Sequence, residues 1–565
     1  MSRWRTWLRR LAWLTGGFAL LLLLLWGVMS GLMYHWAAVP PALPADTAIT
    51  NQVAQTRGER VYVGKSWLGR REGLNVLYLT GTPFEMGYAN GVLTQKLMDR
   101  QEQALLDLLN RVAPYEWTQF LLKFMVVYKN RHLPQHVLPE YQTEILGITL
   151  GCPDPHPEVG PYYYRVLNYH AAQDISYMMM NSPLLRRGCT VFGAWGNHTR
   201  DGHLLAGRNF DWEAHPVFDE DRLLILCEPK DGIPFVSLAW SGMAGAVSGM
   251  NREGLAITVN GAPSDLPGDS ATPTCLVARE VLQRARNLAE AVDIIRRRQV
   301  FVSAMFLVGS RQDGHFVIVE KTPTQTVIQE PGATPWIICA NLYQTPELKN
   351  LPINLEYQRM DTSMPRYQRM QELLQAAKGL DIPQSVNLLR DRRLPGNVAA
   401  GNGHRSTLNP LIATHAVLMD LTEGLFWAGT SPHQLGKFVA VDVRRLETEL
   451  PEKTLPADTM LASGEYQRYL AAKGNLEVGR SALKQKQFAV AAQYARQAET
   501  NNPGYYQNAW LLAESLFRSG HTVEAAQACA SAVAGQPALG GERRQLDQLA
   551  RDIAQASGSK GGATK

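Results

Sequence analysis

Residues 11–36, LAWLTGGFALLLLLLWGVMSGLMYHW, carry no Asp, Glu, Lys or Arg, and this run limits what the chain can become more than any other feature. A helix crosses the hydrocarbon core of a bilayer with about 20 apolar residues, and the stretch is longer than that. Arg3, Arg5, Arg9 and Arg10 precede it. By the positive-inside preference they hold the N-terminus in the cytoplasm and send the rest of the chain to the far side. The expectation is a basic cytoplasmic tail at 1–10, a transmembrane signal anchor at 11–36 and a Pro-rich linker at 37–57. The body would then lie on the periplasmic, extracytoplasmic side of the inner cell membrane. A cleavable signal peptide is the alternative. Its apolar region is usually only about 7–15 residues long, although the small residues of HWAAVPPALPA offer a processing site. The same four arginines supply most of the net charge of +5. The remainder is close to neutral, without a basic stripe, so nucleic acid is not expected as a partner.

The body divides by pattern. Residues 58–80 read as a short strand and turn, and a helix follows from about Glu85. Residues 112–185 read as mainly helical. From Cys189 the pattern becomes β: CTVFGAW and HLLAGRNF flank the turn signal TRDG, as a hairpin requires. FVSLAW, GAVSGM and LAITVNG follow. Residues 273–297 read as helix, and strand patterns return in SAMFLVGS, HFVIVEK, TQTVIQE and WIICAN. THAVLMDL, GLFWAG and FVAVDV close the set. Strands in runs with intervening helices imply a layered α+β domain. Near the C-terminus, Phe488, Ala491, Ala492, Ala498 and Pro503 are echoed 34 residues later by Thr522, Ala525, Ala526, Ala532 and Pro537. That period fits tetratricopeptide-like (TPR-like) helix pairs over 460–555. Such repeats would pack on the main domain or bind a protein partner. A plain alanine-rich helical tail is the alternative.

Six cysteines, at 152, 189, 227, 275, 339 and 529, are scattered without metal-ligand spacing, and no HExxH pattern occurs. No metal or other cofactor is expected. Cys189 stands apart because Gly188 precedes it and an Arg-Asn-x-Asp cluster, Arg208 to Asp211, follows. A thiol attacks as thiolate, and a free Cys has a pKa of about 8.5. If the Gly188–Cys189 bond is cut, the new α-amine can take the proton from within the same residue. The thiol could make that cut itself by attacking the Gly188 carbonyl, with glycine tolerating a strained backbone.

Here the residues resemble a known family. GTPFEMGYANG (81–91) and the GCT…DGHLLAGRNFDW block are similar to the signatures of the acyl-coenzyme A:6-aminopenicillanic acid acyltransferase family. These are autoproteolytic cysteine N-terminal nucleophile hydrolases, related to choloylglycine hydrolases and acid ceramidases. The resemblance covers about residues 58–445. It implies a four-layer αββα fold, with residues 58–188 released as a separate chain and 189–450 bearing the nucleophile. It also implies cleavage between Gly188 and Cys189, Cys189 as the nucleophile, and Asp211 and Arg208 beside it, the carboxylate holding the α-amine. Asn260 would lie near the substrate carbonyl, Asn341 in the oxyanion hole, and Arg405 near bound substrate. Leu342 follows Asn341, where relatives often carry His.

The expected function is therefore an amidase or acyltransferase that acts on a linear amide of a small-molecule acyl substrate through an acyl-enzyme. Alternatives are a membrane-proximal, ceramidase-like lipid amidase and a non-catalytic scaffold built around the repeats. Each site residue also has a structural alternative: a core Cys189, an ion pair between Arg208 and Asp211, and local hydrogen bonding by Asn260 and Asn341.

Overall fold

The computed structural model describes residues 2–37, 39–171, 174, 187–213, 215–264, 270–446 and 453–560. Helix α1, Ser2–Trp36, contains a span at Arg10–Trp36 long and apolar enough to cross a membrane or to act as a signal sequence. Strand β1 (Gln55–Arg57) precedes residues 58–80, which, expected to hold one strand, instead hold β2 (Arg60–Val63), β3 (Ser66–Arg71) and nearly all of β4 (Leu74–Gly81). Their turns use Gly58, Gly64 and Gly73, all at positive φ, and such tight turns leave each strand too short for its alternation to stand out in the sequence.

Helix α2, Pro83–Val112, begins in a capping box. Glu85 N donates to Thr82 Oγ1 and Thr82 N donates to a Glu85 carboxylate oxygen, which satisfies two otherwise open donors. The glycines of GTPFEMGYANG have a packing role. Gly87 and Gly91 cross Gly147 and Gly151 of α4 (Pro139–Gly151) so closely that a Cβ on Gly87 would stand 1.9 Å from Glu144 O, and one on Gly91 2.3 Å from Ile148 O. Between these helices lies α3, Glu116–Lys129, and α5 follows at Tyr162–His170.

The Cys189 hairpin forms as expected, as β5 (Arg187–Gly196) and β6 (Gly202–Trp212). The next strands are β7 (Leu223–Pro229), β8 (Phe235–Ala239), β9 (Ser248–Asn251) and β10 (Leu255–Gly261). The helical pattern at 273–297 is two helices, α6 (Thr274–Arg284) and α7 (Leu288–Arg297). Asn287 between them accepts from Glu290 N and so caps a new helix. Strands β11 (Ala304–Ser310), β12 (His315–Lys321), β13 (Thr326–Gln329) and β14 (Trp336–Cys339) precede helices α8 (Ser363–Ala376) and α9 (Ile382–Leu389). Strands β15 (Ala413–Asp420), β16 (Leu425–Gly429), β17 (Phe438–Asp442) and β18 (Thr454–Leu455) complete the body.

Two sheets result. One runs β1-β2-β3-β4-β7-β8-β9-β10-β11-β12-β13, antiparallel throughout except where β4 pairs parallel with β7; the other runs β14-β5-β6-β15-β16-β17-β18. Three apolar clusters fix the layer order. Ile257 and Val259 of the first sheet pack with Ala278 and Val281 of α6 and with Ile145 of α4. Ala256, Leu307 and Ile318 meet Val191, Ala206 and Val417 of the second sheet. On the second sheet's other face, Phe192 and Leu418 meet Met370 of α8 and Val386 of α9. The body is thus mixed α/β with helices outside two stacked sheets. Strands buried on both faces explain its long apolar runs.

The tail is a succession of helices, α10 (Glu465–Lys484), α11 (Phe488–Asn501), α12 (Tyr506–Arg518), α13 (Thr522–Ala534) and α14 (Gly540–Lys560). Of the echoed alanines, Ala491, Ala492, Ala498, Ala525 and Ala532 are buried, whereas Ala526 is exposed. The tail docks on the body at the GNGHRST loop: Asn402 N donates to Asn502 Oδ1 and Asn502 Nδ2 returns to Asn402 O, both at 2.8 Å. Tyr505 packs so close to Gly401 that a Cβ there would stand 2.7 Å from Tyr505 N.

Candidate active site

Cys189 lies near the start of β5, opposite Phe210 of β6, and is 1% exposed. Alternation along the strands puts Cys189, Val191, Arg208 and Phe210 on the face toward the first sheet. Gly188, Thr190, Asn209 and Asp211 fall on the face toward the outer helices. Arg208 and Asp211 therefore point to opposite sides of one strand and do not form an ion pair.

Arg208 reaches across the sheet interface. Its Nη1 donates to Val247 O and to Ser248 Oγ, and its Nη2 to Val259 O, so three groups of the first sheet hold it. Nη2 also lies 3.5 Å from Cys189 Sγ. Backbone carbonyls thus hold a guanidinium against the sulfur. Ser248 Oγ is also 3.1 Å from His415 Nε2. Burial, helped by Arg208 and Arg222, pushes that imidazole's pKa well below the usual histidine range, so it is neutral.

On the other face, Asp211 is paired in register with Gly188 and is 1% exposed. A Cβ on Gly188 would stand 3.3 Å from Asp211 Oδ2 and 3.4 Å from the Arg366 guanidinium. Gly188 lies in the strand, outside the positive-φ region. A side chain here would have to displace both groups by a few tenths of an ångström. Asp211 Oδ1 is buried without a hydrogen-bond donor among the described residues. Burial raises its pKa from 3.8 to about 7, against the pull of Arg366, Arg405 and Arg208.

The amide of Cys189 donates to Asn341 Oδ1 at 2.8 Å, and Asn341 Nδ2 donates to Gly261 O at 2.9 Å. In the uncut chain, then, the carbonyl end of this side chain faces Cys189. Asn260 holds its Nδ2 3.3 Å from Cys339 O and 3.4 Å from Ala340 O, both long, and its Oδ1 has no partner among the described residues. Its amide is the more weakly held donor of the two.

Sequence reasoning missed Arg366. From α8 it donates to Cys189 O (2.5 Å), Thr190 Oγ1 (2.7 Å) and Asn341 Oδ1 (3.0 Å), so one guanidinium fixes both the Cys189 carbonyl and the carboxamide on the Cys189 nitrogen. Nothing local signals this, because SMPRYQRM reads as an ordinary polar helix and the bonds to Cys189 and Thr190 span 177 and 176 residues. Arg405 lies further out. It pairs with Glu213 at 2.5 Å, which also holds Lys473 of the tail at 2.9 Å, and it lines a small cavity with Gly188, Asp211 and Arg366.

A second, apolar cavity of about 130 Å³ opens beside Phe210, walled by Met98, Leu105, Val166, Trp240 and Met243. Among the described residues, no three His, Cys, Asp or Glu side chains converge as metal ligands would.

Cys189 thus has a guanidinium at its sulfur and, on the other face of the strand, a carboxylate whose Oδ1 has no donor among the described residues. Residues 198–413 match the model of the acyl-coenzyme A:6-aminopenicillanic acid acyl-transferase family. The match contains Arg208, Asp211, Asn260, Asn341, Arg366 and Arg405 and begins just after Cys189, so the resemblance drawn from the sequence is borne out over this segment. An uncharacterized protein of Archaeoglobus fulgidus is 29% identical over 252 residues, 42% of this chain and 41% of that protein. Protein dcd1B of Dictyostelium discoideum is 24% identical over 270 residues, 44% and 50% respectively. The chain spans 41% to 64% of the length of the curated relatives it matches. Among solved structures, an N-acylethanolamine-hydrolyzing acid amidase ortholog of Caenorhabditis elegans aligns at 15% identity and TM-score 0.32, over 41% of this chain and 93% of its own. A mutant conjugated bile acid hydrolase of Clostridium perfringens aligns at 15% and 0.31, over 48% and 97%.

Proposed function

We propose that this chain is a cysteine N-terminal nucleophile hydrolase or acyltransferase with the αββα fold of that class, activated by self-cleavage between Gly188 and Cys189 and acting on linear amides. The observation that carries the reading is the buried Asp211 carboxylate, whose Oδ1 has no donor among the described residues. A buried carboxylate without a donor is costly, and it stands against the peptide bond whose cleavage would create an ammonium. Once Cys189 becomes a chain terminus, its α-amine supplies the missing partner.

The chemistry follows from the residues. In self-cleavage, Cys189 Sγ attacks the Gly188 carbonyl carbon, the C–N bond breaks, and the nitrogen takes a proton and leaves as the α-amine. Water then hydrolyses the thioester, releasing the Gly188 carboxylate and restoring the thiol. In turnover, the α-amine accepts the thiol proton beside the Arg208 guanidinium. The thiolate attacks the substrate carbonyl, and the Asn260 amide, the weakly held donor, stabilises the oxyanion. The protonated α-amine, held by Asp211 and Asn341 Oδ1, passes its proton to the departing amine. Water or an acceptor amine resolves the acyl-enzyme. Arg366 positions Cys189 and Asn341 throughout.

The cavity beside Phe210 favours an apolar acyl group. Its volume is close to the roughly 150 Å³ of an engineered apolar cavity that takes benzene, enough for an aromatic ring or the first carbons of a chain. This cavity also supports the narrower reading of a lipid amidase, with α1 as an uncleaved anchor that keeps the body at the outer face of the inner membrane. The tail, read as TPR-like repeats, docks beside Arg405 and would offer its other face to a protein partner.

Intact mass and N-terminal sequencing of the purified full chain, beside Cys189→Ala, test the proposal. A wild-type fragment beginning Cys-Thr-Val-Phe with an intact variant supports it, and hydrolysis of acyl amides by the cleaved form extends it to turnover. A folded wild-type chain that stays whole refutes self-cleavage and favours the scaffold reading.

A further inference from the structure

Helix α3 exposes large apolar side chains that its neighbours do not cover. Trp117 is 65% exposed, Leu121 43%, Met125 54% and Tyr128 42%, and Tyr115 just before the helix is 64%. At 100° per residue, positions 117, 121, 125 and 128 form one narrow stripe; within the helix no charged residue falls on it, and the Arg131 guanidinium caps its C-terminal end, 4.3 Å over the Tyr128 ring. Lys123 is half-buried on the flank turned to the body. A soluble surface rarely exposes a contiguous patch of this kind.

The structure also points to what covers it. The adjacent flank of α3 packs on α1: Phe120 meets Trp26 at 6.0 Å between ring centroids, and Phe124 and Tyr128 meet Trp36 at 6.1 and 5.5 Å. Residues 26 to 36 of α1 thus run alongside 120 to 128 of α3 in the same direction. The third side of α3 is tied to the body, where Asn130 Nδ2 donates to Asn168 Oδ1 at 2.6 Å and Tyr164 Oη to Val127 O at 3.4 Å. The C-terminal part of α1 and the α3 stripe therefore form one continuous apolar surface at one depth. Lipid that wets the first must wet the second.

We propose that α3 is a second membrane element, immersed in the leaflet on the body's side with Trp117, Leu121, Met125 and Tyr128 against acyl chains. Tyr128, beside Trp36, suits the interface, where amphipathic rings concentrate, and Trp117, about 16 Å earlier along a helix parallel to α1, reaches deeper into the same leaflet. The body is then fixed to the bilayer at two points, so it cannot swivel about the linker. The inference rests on reading α1 as a membrane helix, and the experiment separates the two.

The six native cysteines are buried, so single surface cysteines can be labelled in the full chain. An environment-sensitive fluorophore is placed at Leu121→Cys, at Met125→Cys and, separately, at Leu22→Cys in α1. The chains are reconstituted into phosphatidylcholine–phosphatidylglycerol vesicles, with the free dye–thiol adduct as the water reference. The expected result is quenching of both α3 labels by doxyl groups on the acyl chains and protection from iodide. If the Leu22 label is in lipid while the α3 labels are quenched by iodide, the proposal is overturned and the anchor stands. If α1 has been cleaved off, lipid quenching at 121 and 125 upholds the proposal without the anchor, and iodide quenching overturns it. Labels shielded from both quenchers mean a protein covers the stripe, and that also overturns it.

Discussion

Removing the Asp211 carboxylate tests the reasoning about the site most directly. In a chain kept whole by Cys189→Ala, this group is buried opposite Gly188 and its Oδ1 has no donor among the described residues. Burial lifts its pKa from 3.8 to about 7. At 1.36 kcal/mol per pH unit, that displacement is worth about 4 kcal/mol. The direction is fixed by linkage. The folded chain holds the proton more tightly than the unfolded one, so the contribution is complete below about pH 4 and is lost as pH rises through about 7. Urea denaturation of Cys189→Ala, with and without Asp211→Asn, measured from pH 4 to 8, should show the difference. The single variant should lose several kcal/mol relative to the double across that window. Parallel profiles would refute the account, because they would mean the carboxylate is already paired in the whole chain. In the cleaved wild-type enzyme the α-ammonium should hold Asp211 ionised, and the dependence should reverse, with stability lost as pH falls.

Other outcomes follow from the same geometry. Arg366→Ala leaves the Cys189 carbonyl and Thr190 hydroxyl without their donor. At about 1–3 kcal/mol for each orphaned group, both stability in urea and the fraction of chain cleaved should fall, and full cleavage in this variant would remove Arg366 from the site. Asn260→Ala should lower kcat by roughly 10²–10³ with little change in KM if its amide faces the oxyanion, and an unchanged kcat would reassign that role. Gly87→Ala must push α2 off the Glu144 carbonyl. Overpacking of this kind costs about 1–3 kcal/mol, visible as a lower urea midpoint. Asn502→Ala removes both bonds to Asn402, at about 1–2 kcal/mol, and should make the tail the first segment released by limited proteolysis.

The sequence alone carried whatever depends on local pattern. The hairpin of β5 and β6 follows from alternation around a turn, and Gly188–Cys189 with Arg208 and Asp211 lies within one hairpin, so pairing in register was enough to bring the four together. The long uncharged run that became α1 needed only its length. Pattern failed where elements were short or capped from outside, as in the four small strands before α2 and the break at Asn287. It also missed the reason for the glycines in α2, which exist to meet Glu144 and Ile148 on another helix.

What only the tertiary structure decided is which side of the nucleophile each group serves. Alternation put Arg208 and Asp211 on opposite faces of β6, but only the packing of the layers gave Arg208 its carbonyl partners and left Asp211 Oδ1 without a donor among the described residues. Arg366 enters from a helix 177 residues beyond Cys189, and Asn341 turns its oxygen to the Cys189 amide through a contact across 152. Contacts of that range leave no periodic trace, because a side chain's partner is set by where layers meet and not by its neighbours in the chain. The apolar stripe of α3 reads in sequence as one more helix among several. It becomes distinctive only when the body covers one flank, α1 covers the next, and the third is left facing outward.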